Sequence, residues 1–569
     1  MLTLVSRCAP AHVLAAGCAA VAPLTATAAE FVVSTPTGAA IQTAIDAAQS
    51  GDTVRLAAGT TYVLHAPLDF FTTAGTDNSG VTLVGAGRES TVLAYRGTAG
   101  AGQDVIDLED ASGVTLTGFA IDGENRADGA AFGVVAGYGD GGHRLDGLAI
   151  RNLAGSTTFG PIGVYFFRDV SNSSVENSTF ENIGVDDLFG SGVRVHGDSD
   201  DIRVANNTFD RMGRGGVFGK GESFGNPDRL VIRGNTVTNA GLAYLNTDLQ
   251  GEQNLAGLGI EIQDGVNDAV IEGNTVDRWL SVDNSDGVAV RNNTVTGVAG
   301  DAGVETPYGI ELVDVERVVV TGNTATGGTN FGLSISGEGD TRHALITDNT
   351  FTGADQFGVQ IQGDDGGTLD GVTERLYLAN NTFTGSGGDA ARINRNAHHV
   401  VIHDGALDAD QGFSVGLAEG SITGIVVTGD TGQRPDHVEQ SFEASVDDAE
   451  VTASRTIAEF TFSPGEAIEL VFGDTALAAD LPALEDLDLV LWDLGDGTPS
   501  VTDVFGDNGT TAALDAARAA DLQPGQVFRA VAWDAEGDSN YVTIRVIPEP
   551  TTAALLLTAG GLALLRRRR

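Results

Sequence analysis

The window from residue 194 to residue 233 holds seven arginines and lysines against six aspartates and glutamates, in a 569-residue chain of net charge −47. It contains the single lysine, Lys220, together with Arg194 and His196. Abstracting the proton beside a uronate carboxylate needs a proton acceptor and a cation to neutralise that carboxylate. Lys220 or His196 can be the base, Arg194 can steady the carboxylate, and Asp198 with Glu222 can hold Ca2+. Asp186 and Asp187, in "GVDDLFG", offer a second chemistry. Paired carboxylates suit glycoside hydrolysis. An anionic sugar chain would be repelled by most of this protein and tolerated in this window, and the same charge argues against nucleic acid as a partner.

These side chains need a scaffold, and the repeats describe one. "DIRVANNTF", "RLVIRGNTV", "DAVIEGNTV", "GVAVRNNTV", "RVVVTGNTA", "HALITDNTF" and "RLYLANNTF" are alternating strands that end in Asn-Thr. Their asparagines are Asn207, Asn235, Asn274, Asn293, Asn323, Asn349 and Asn381. A second strand follows in most repeats, as in "GVRVHGD" and "GIEIQDG". Short strands stacked about 4.8 Å apart make a solenoid, with the asparagines bonding one another in a buried turn. Alternate residues of the second strand then form outward columns. One column reads Tyr165, Arg194, Phe218, Glu261, Glu311, Ser334, Gln360, Arg392, and the next includes Phe167, His196, Lys220, Gln263, Val313 and Gln362. Aromatic, amide and charged groups on a long face suit a polysaccharide laid along the solenoid.

The pattern resembles the right-handed parallel β-helix proteins of the pectate-lyase-like superfamily, over residues 30–432. The stretch "IQTAIDAAQSGDTVRLAAGTTYVL" adds a capping helix over 41–48, apolar at Ile41, Ala44, Ile45 and Ala48, which plugs the open end. The polygalacturonase motif is absent: there is no Gly-His-Gly, and "RINRN" matches Arg-Ile-Lys only in part. No complete set of catalytic residues carries over. The expected fold class is all-β, a right-handed parallel β-helix followed by a small antiparallel β-sandwich. That module, 441–546 after a linker at 433–440, contains "WDLGDGTPS" and "YVTIRV" and resembles PKD-like, immunoglobulin-type domains.

Residues 1–29 have the form of a secretory signal peptide cut after Ala28 or Ala29, with "LAAGC" ending at Cys18 as an alternative lipoprotein site. Both cysteines, Cys8 and Cys18, fall within it. The last 23 residues, 547–569, combine Pro548-Glu549-Pro550, fifteen uncharged residues at 551–565 and four arginines. A helix of fifteen residues spans roughly 22 Å, short of a hydrocarbon core of about 30 Å. This end resembles the PEP-CTERM sorting signal, which implies transient inner-membrane insertion, processing by an exosortase, and release to the surface or exterior of a Gram-negative bacterium. Two functions follow: a monomeric carbohydrate-active enzyme, lyase or hydrolase, or a non-catalytic protein of the exopolysaccharide matrix. A chain ending at Pro550 is expected to stay soluble without detergent; a detergent requirement would count against a removable tail.

Overall fold

Strands of three to six residues recur through the chain, and their apolar positions stack coil upon coil. The computed structural model describes residues 28–71, 77–97, 104–139, 141–155, 157–221, 225–243, 245–246, 254–256, 258–297, 304–305, 308–327, 330–336, 339–363, 371–394, 396–403, 406–407, 413–416, 422–428 and 437–438, and the strand segments 457–461, 468–471, 487–493, 499–503, 511–514, 527–534 and 539–547. One coil shows the plan: Ser191–His196, Arg203–Ala205 and Thr208–Met212 lie on three sides of a solenoid. Each pairs in parallel with its counterpart one coil away. The first strands build a first sheet and the second strands a second sheet, joined where Tyr308–Thr321 runs round the corner. The third sheet has 13 strands. Val193, Val195, Val204, Phe209 and Met212 are fully buried between them, each removing apolar area from water at about 25 cal/mol per Å².

The turn between second and third sheets explains the repeated asparagine. Asn207, Asn235, Asn274, Asn293, Asn323, Asn349 and Asn381 are each 1% exposed. The Asn293 carboxamide shows the pattern: its oxygen accepts from the Asn274 backbone N–H at 3.0 Å and from Asn274 Nδ2 at 2.9 Å. Its own Nδ2 donates to Ile271 O at 2.8 Å and to Asn323 Oδ1 at 2.9 Å. Every polar atom of the side chain is matched, as a buried amide must be. The residue before each asparagine takes a left-handed conformation, as at Asn292 (φ 51°) and Gly322 (φ 66°). Asn and Gly tolerate that region best, which is why "NN", "GN" and "DN" precede the threonine. The ladder extends to Ser178, whose N–H donates to Asn207 Oδ1 at 2.9 Å.

The capping helix is Gly38–Ala47 rather than 41–48. Thr37 is its N-cap, accepting from the Ala40 N–H at 3.3 Å, so the helix begins at the cap and not at the first large apolar residue. Ile41 and Ile45 are fully buried over the end of the core. Within the segment read as a linker, His437–Val438 pairs with Phe413–Gly416, so stacking continues past residue 432. Farther on, Ile457–Thr461, Ser539–Ile547, Val527–Asp534, Leu487–Asp493 and Pro499–Asp503 form one five-stranded sheet, antiparallel except for its first pair. Leu491, Val531 and Trp533 pack on Val319, Leu345, Tyr377 and Ala379 of the second sheet. The C-terminal sheet therefore covers part of the second sheet's outer side. Among the described residues no helix is long and apolar enough to cross a membrane; 1–27, 548–550 and 551–565 lie outside them.

Asn293→Ala removes the acceptor for two Asn274 donors and the donor to Ile271 O. At about 1–3 kcal/mol per buried group left unpaired, the loss is expected to be roughly 3 kcal/mol or more. A urea titration checks it, and a loss below about 1 kcal/mol would show that water or a backbone shift repairs the ladder.

Candidate functional site

The register of the first sheet brings the predicted residues into neighbouring positions. Tyr165 pairs with Arg194, Arg194 with Phe218 and Phe218 with Glu261. Alongside run Phe167, His196, Lys220 and Gln263. Farther along, Glu311, Ser334, Gln360 and Arg392 follow in register, as does Gln362 beside Asn394. One coil was missing from the sequence reading: Trp279–Asp286 inserts Ser281 between Glu261 and Glu311, and Asp283 between Gln263 and Val313. That coil is unusually short, 19 residues from Asn274 to Asn293, and carries no Gly-led second strand to mark it.

The face is not the open platform that alternation suggests. Tyr165, Arg194, His196, Phe218 and Glu261 are 2–5% exposed. They cover one another. The Arg194 guanidinium lies 4.8 Å from the Phe218 ring centre and 5.7–6.0 Å from Phe159, Tyr165 and Phe189. The Arg214 guanidinium lies 4.2 Å from the Phe218 ring centre and makes two bonds to the Glu261 carboxylate, at 2.7 and 2.8 Å. Each charge is thus buried with a partner, which burial requires. Arg214 belongs to this assembly although no motif marked it. Lys220 Nζ lies 2.8 Å from Asp264 Oδ2. That ion pair fixes the lysine head group on the face beside His196.

The fold changes the chemistry of His196. Burial, then the cations Arg194, Lys220 and Arg168, push its imidazolium form down to about 4. The ring is therefore neutral at neutral pH. Tyr165 Oη lies 3.0 Å from His196 Nδ1, and burial pushes that phenol up to about 12. A neutral imidazole beside a protonated phenol, with cations on both sides, can accept one proton and supply another.

The other predicted residues do not join this cluster in the same way. Asp187 Oδ1 accepts from the Phe189 N–H at 2.9 Å, so it closes its own turn; Asp186 is exposed on that turn. Asp198 is exposed and accepts from the Asn226 N–H at 3.0 Å. Glu222 lies outside the described residues. No group of three or more His, Cys, Asp or Glu among the described residues is placed to hold a metal ion.

Two features escaped the sequence reading. Upstream on the same face, Asp69 pairs with Asp107 across adjacent strands, and Asp104 is pushed up to about 7 by burial and by Asp107 and Glu109. Downstream, Trp279, Tyr308, Phe331 and Phe357 form an aromatic ladder with centres 5.1–5.8 Å apart. Each ring opens a strand, a position that period-two alternation does not single out.

With this geometry in hand, comparison with known proteins places the fold. The family profile described as right handed beta helix region matches residues 98–276, 246–373 and 278–431. The chain belongs to that family. No curated protein matches this β-helix protein. Similar solved structures include a mannuronan C-5 epimerase A-module from Azotobacter vinelandii, at 17% identity and TM-score 0.38, covering 69% of this chain and 95% of that one. An alginate lyase from a Paenibacillus species has 16% identity and TM-score 0.37, over 56% and 95% of the two chains. The periplasmic alginate epimerase AlgG has 13% and 0.38, over 65% and 77%. At these values the likeness carries no argument about activity.

The shifted groups of the β-helix act on stability in opposite senses. His196, and His143 likewise pushed down to about 4 by burial, have an unfolded value near 6.5. Their native environments favour the neutral form, so their contribution is full above about 6.5 and is lost as pH falls through 4. Asp104, raised from 3.8, contributes below 3.8 and loses that contribution as pH rises through about 7. His196→Gln should therefore lose less thermal stability than the parent between pH 7.5 and 4.5, and Asp104→Asn less between pH 6 and 8.5. Equal losses in parent and variant would contradict the assignment.

Proposed function

We propose that this β-helix protein is exported and acts on a uronate-bearing polysaccharide by abstracting the proton beside the sugar carboxylate, with His196 as base. The observation that carries the reading is the neutral His196, 3.0 Å from Tyr165 Oη, on a face that also presents Arg194 and Lys220. One ring nitrogen of His196 is bonded to the Gly221 backbone and Nδ1 faces Tyr165 Oη, so the Tyr165 hydroxyl takes the substrate proton as it passes its own to Nδ1. The C–H electron pair moves toward the carboxylate, whose growing charge Arg194 and Lys220 stabilise in a site with little water. The Tyr165 hydroxyl can then give a proton, either to a departing glycosidic oxygen or back to carbon. The export reading rests on residues 1–29 and on the Pro548-Glu549-Pro550 tail, with an exosortase as processing partner.

A second reading, binding without catalysis, is favoured by one observation: Tyr165 and His196 are each only 3% exposed. The two readings separate by mutation. His196→Ala is expected to lower the rate on polyuronate on the order of 10²–10⁴-fold. Lys220→Arg should keep most activity and Lys220→Ala should not, because the charge and not the proton matters there. If Lys220→Arg is as damaging as Lys220→Ala, the lysine is the base. If the parent binds polyuronate and leaves it unchanged, the binding-only reading stands.

A further inference from the structure

The cationic part of the first sheet is short along the solenoid axis. It spans the coils of Ile162–Phe167, Ser191–His196 and Gly215–Lys220, where Arg168, Arg194, Arg214 and Lys220 sit. Upstream, the same face carries Asp69, Asp104, Asp107 and Glu109, whose carboxyls burial and neighbouring carboxylates push up from the usual range. Downstream come Asp283 and Glu311, in the next coils of the two columns. A polyanion laid along the axis leaves the window at both ends into carboxylates, at a coil spacing of about 4.8 Å.

The edges of the window are different. Of four large apolar side chains exposed among the described residues, three border it: Tyr138 at 46%, Leu188 at 43% and Phe189 at 38%. Leu188 and Phe189 precede Ser191–His196, at the edge where that strand begins. Phe189 lies 6.0 Å from the Arg194 guanidinium. Tyr138 follows Phe132–Ala136, at the opposite edge, and meets Phe167 edge-on at 5.9 Å. Six-residue strands put these edges about 20 Å apart. Exposed rings at both edges of a buried charged strip are what the apolar faces of sugar rings stack on.

We propose that the uronate chain crosses the window from edge to edge, stacking one ring on Leu188 and Phe189 and another on Tyr138, with the sugar between them over Arg194 and His196. This rests on the uronate reading above and replaces the expectation of a glycan laid along the solenoid. The crossing explains why apolar side chains stay exposed there, and why the face turns acidic one or two coils away on either side. It also limits the bound stretch to the few sugars that span one strand's length.

Calorimetry on the full chain with oligouronates of increasing length tests this. Affinity is expected to rise with length until both edges are reached and then to level off. Phe189→Ala and Tyr138→Ala should each weaken binding of the long oligomers by about three- to tenfold, from a stacking contribution of about 0.5–1.5 kcal/mol. Phe189→Trp should restore it, which a loss of folding would not allow. Neutralising the axial acids, by Asp107→Asn or Asp283→Asn, should leave affinity within twofold. Tighter binding by those variants, with Phe189→Ala and Tyr138→Ala unchanged, would overturn the crossing in favour of an axial path. If the parent binds a neutral glycan in a Phe189- and Tyr138-dependent way and no uronate, the crossing stands and the uronate reading fails. If the parent binds neither, both fail.

Discussion

The asparagine ladder is the constraint on which the rest depends. Each buried carboxamide between Asn207 and Asn349 accepts from the coil before and donates to the coil after, so one coil cannot slip by a residue without orphaning two neighbours. A one-residue slip would also turn every outward side chain inward. The ladder thereby sets the register of the first sheet, on the far side of the core. Loops of very different length, from the 19-residue coil to the 39-residue one, are tolerated because the strands between them are pinned.

Register alone places Arg194 beside Phe218 and His196 beside Lys220, residues 24 positions apart in the chain. What turns this neighbourhood into a site is burial. Arg214 and Glu261 neutralise each other, Lys220 is held by Asp264, and Arg194 is boxed by rings. Within that charged and poorly hydrated setting an imidazole cannot easily take a proton from water, and His196 stays neutral. The upstream carboxylates obey the same physics with the opposite sign: crowded and partly buried, their pKa values are pushed up. One face thus carries an acidic segment and a cationic segment, separated by the coil of Val135 and Gly137.

Much of this was legible in the sequence, for a physical reason. A buried amide needs identical partners, so the Asn-Thr turns repeat almost letter for letter, and the columns Tyr165, Arg194, Phe218, Glu261 follow from strand period. What stayed hidden depends on atoms distant in the chain. The coil of Trp279–Asp286 was lost because its strand begins with a tryptophan and not with glycine. Arg194 is covered in part by Phe159 and Phe189, contributed by turns whose reach no alternation reveals. Asp104 and Asp107 lie before the first Asn-Thr turn, where nothing marks a coil. Asp187, which the sequence offers as half of a carboxylate pair, also accepts from the Phe189 N–H within its own turn, a contact that no residue pattern announces.

The step proposed for His196 is removal of the hydrogen beside a uronate carboxylate. Incubating the protein with a polyuronate in deuterium oxide and following that C–H position by NMR tests the step itself, whatever product it leads to. Loss of the signal, or a product that has lost that hydrogen, with the parent and not with His196→Gln is the predicted result. A C–H that persists in the presence of bound parent protein, or exchange that continues undiminished in His196→Gln, would contradict it.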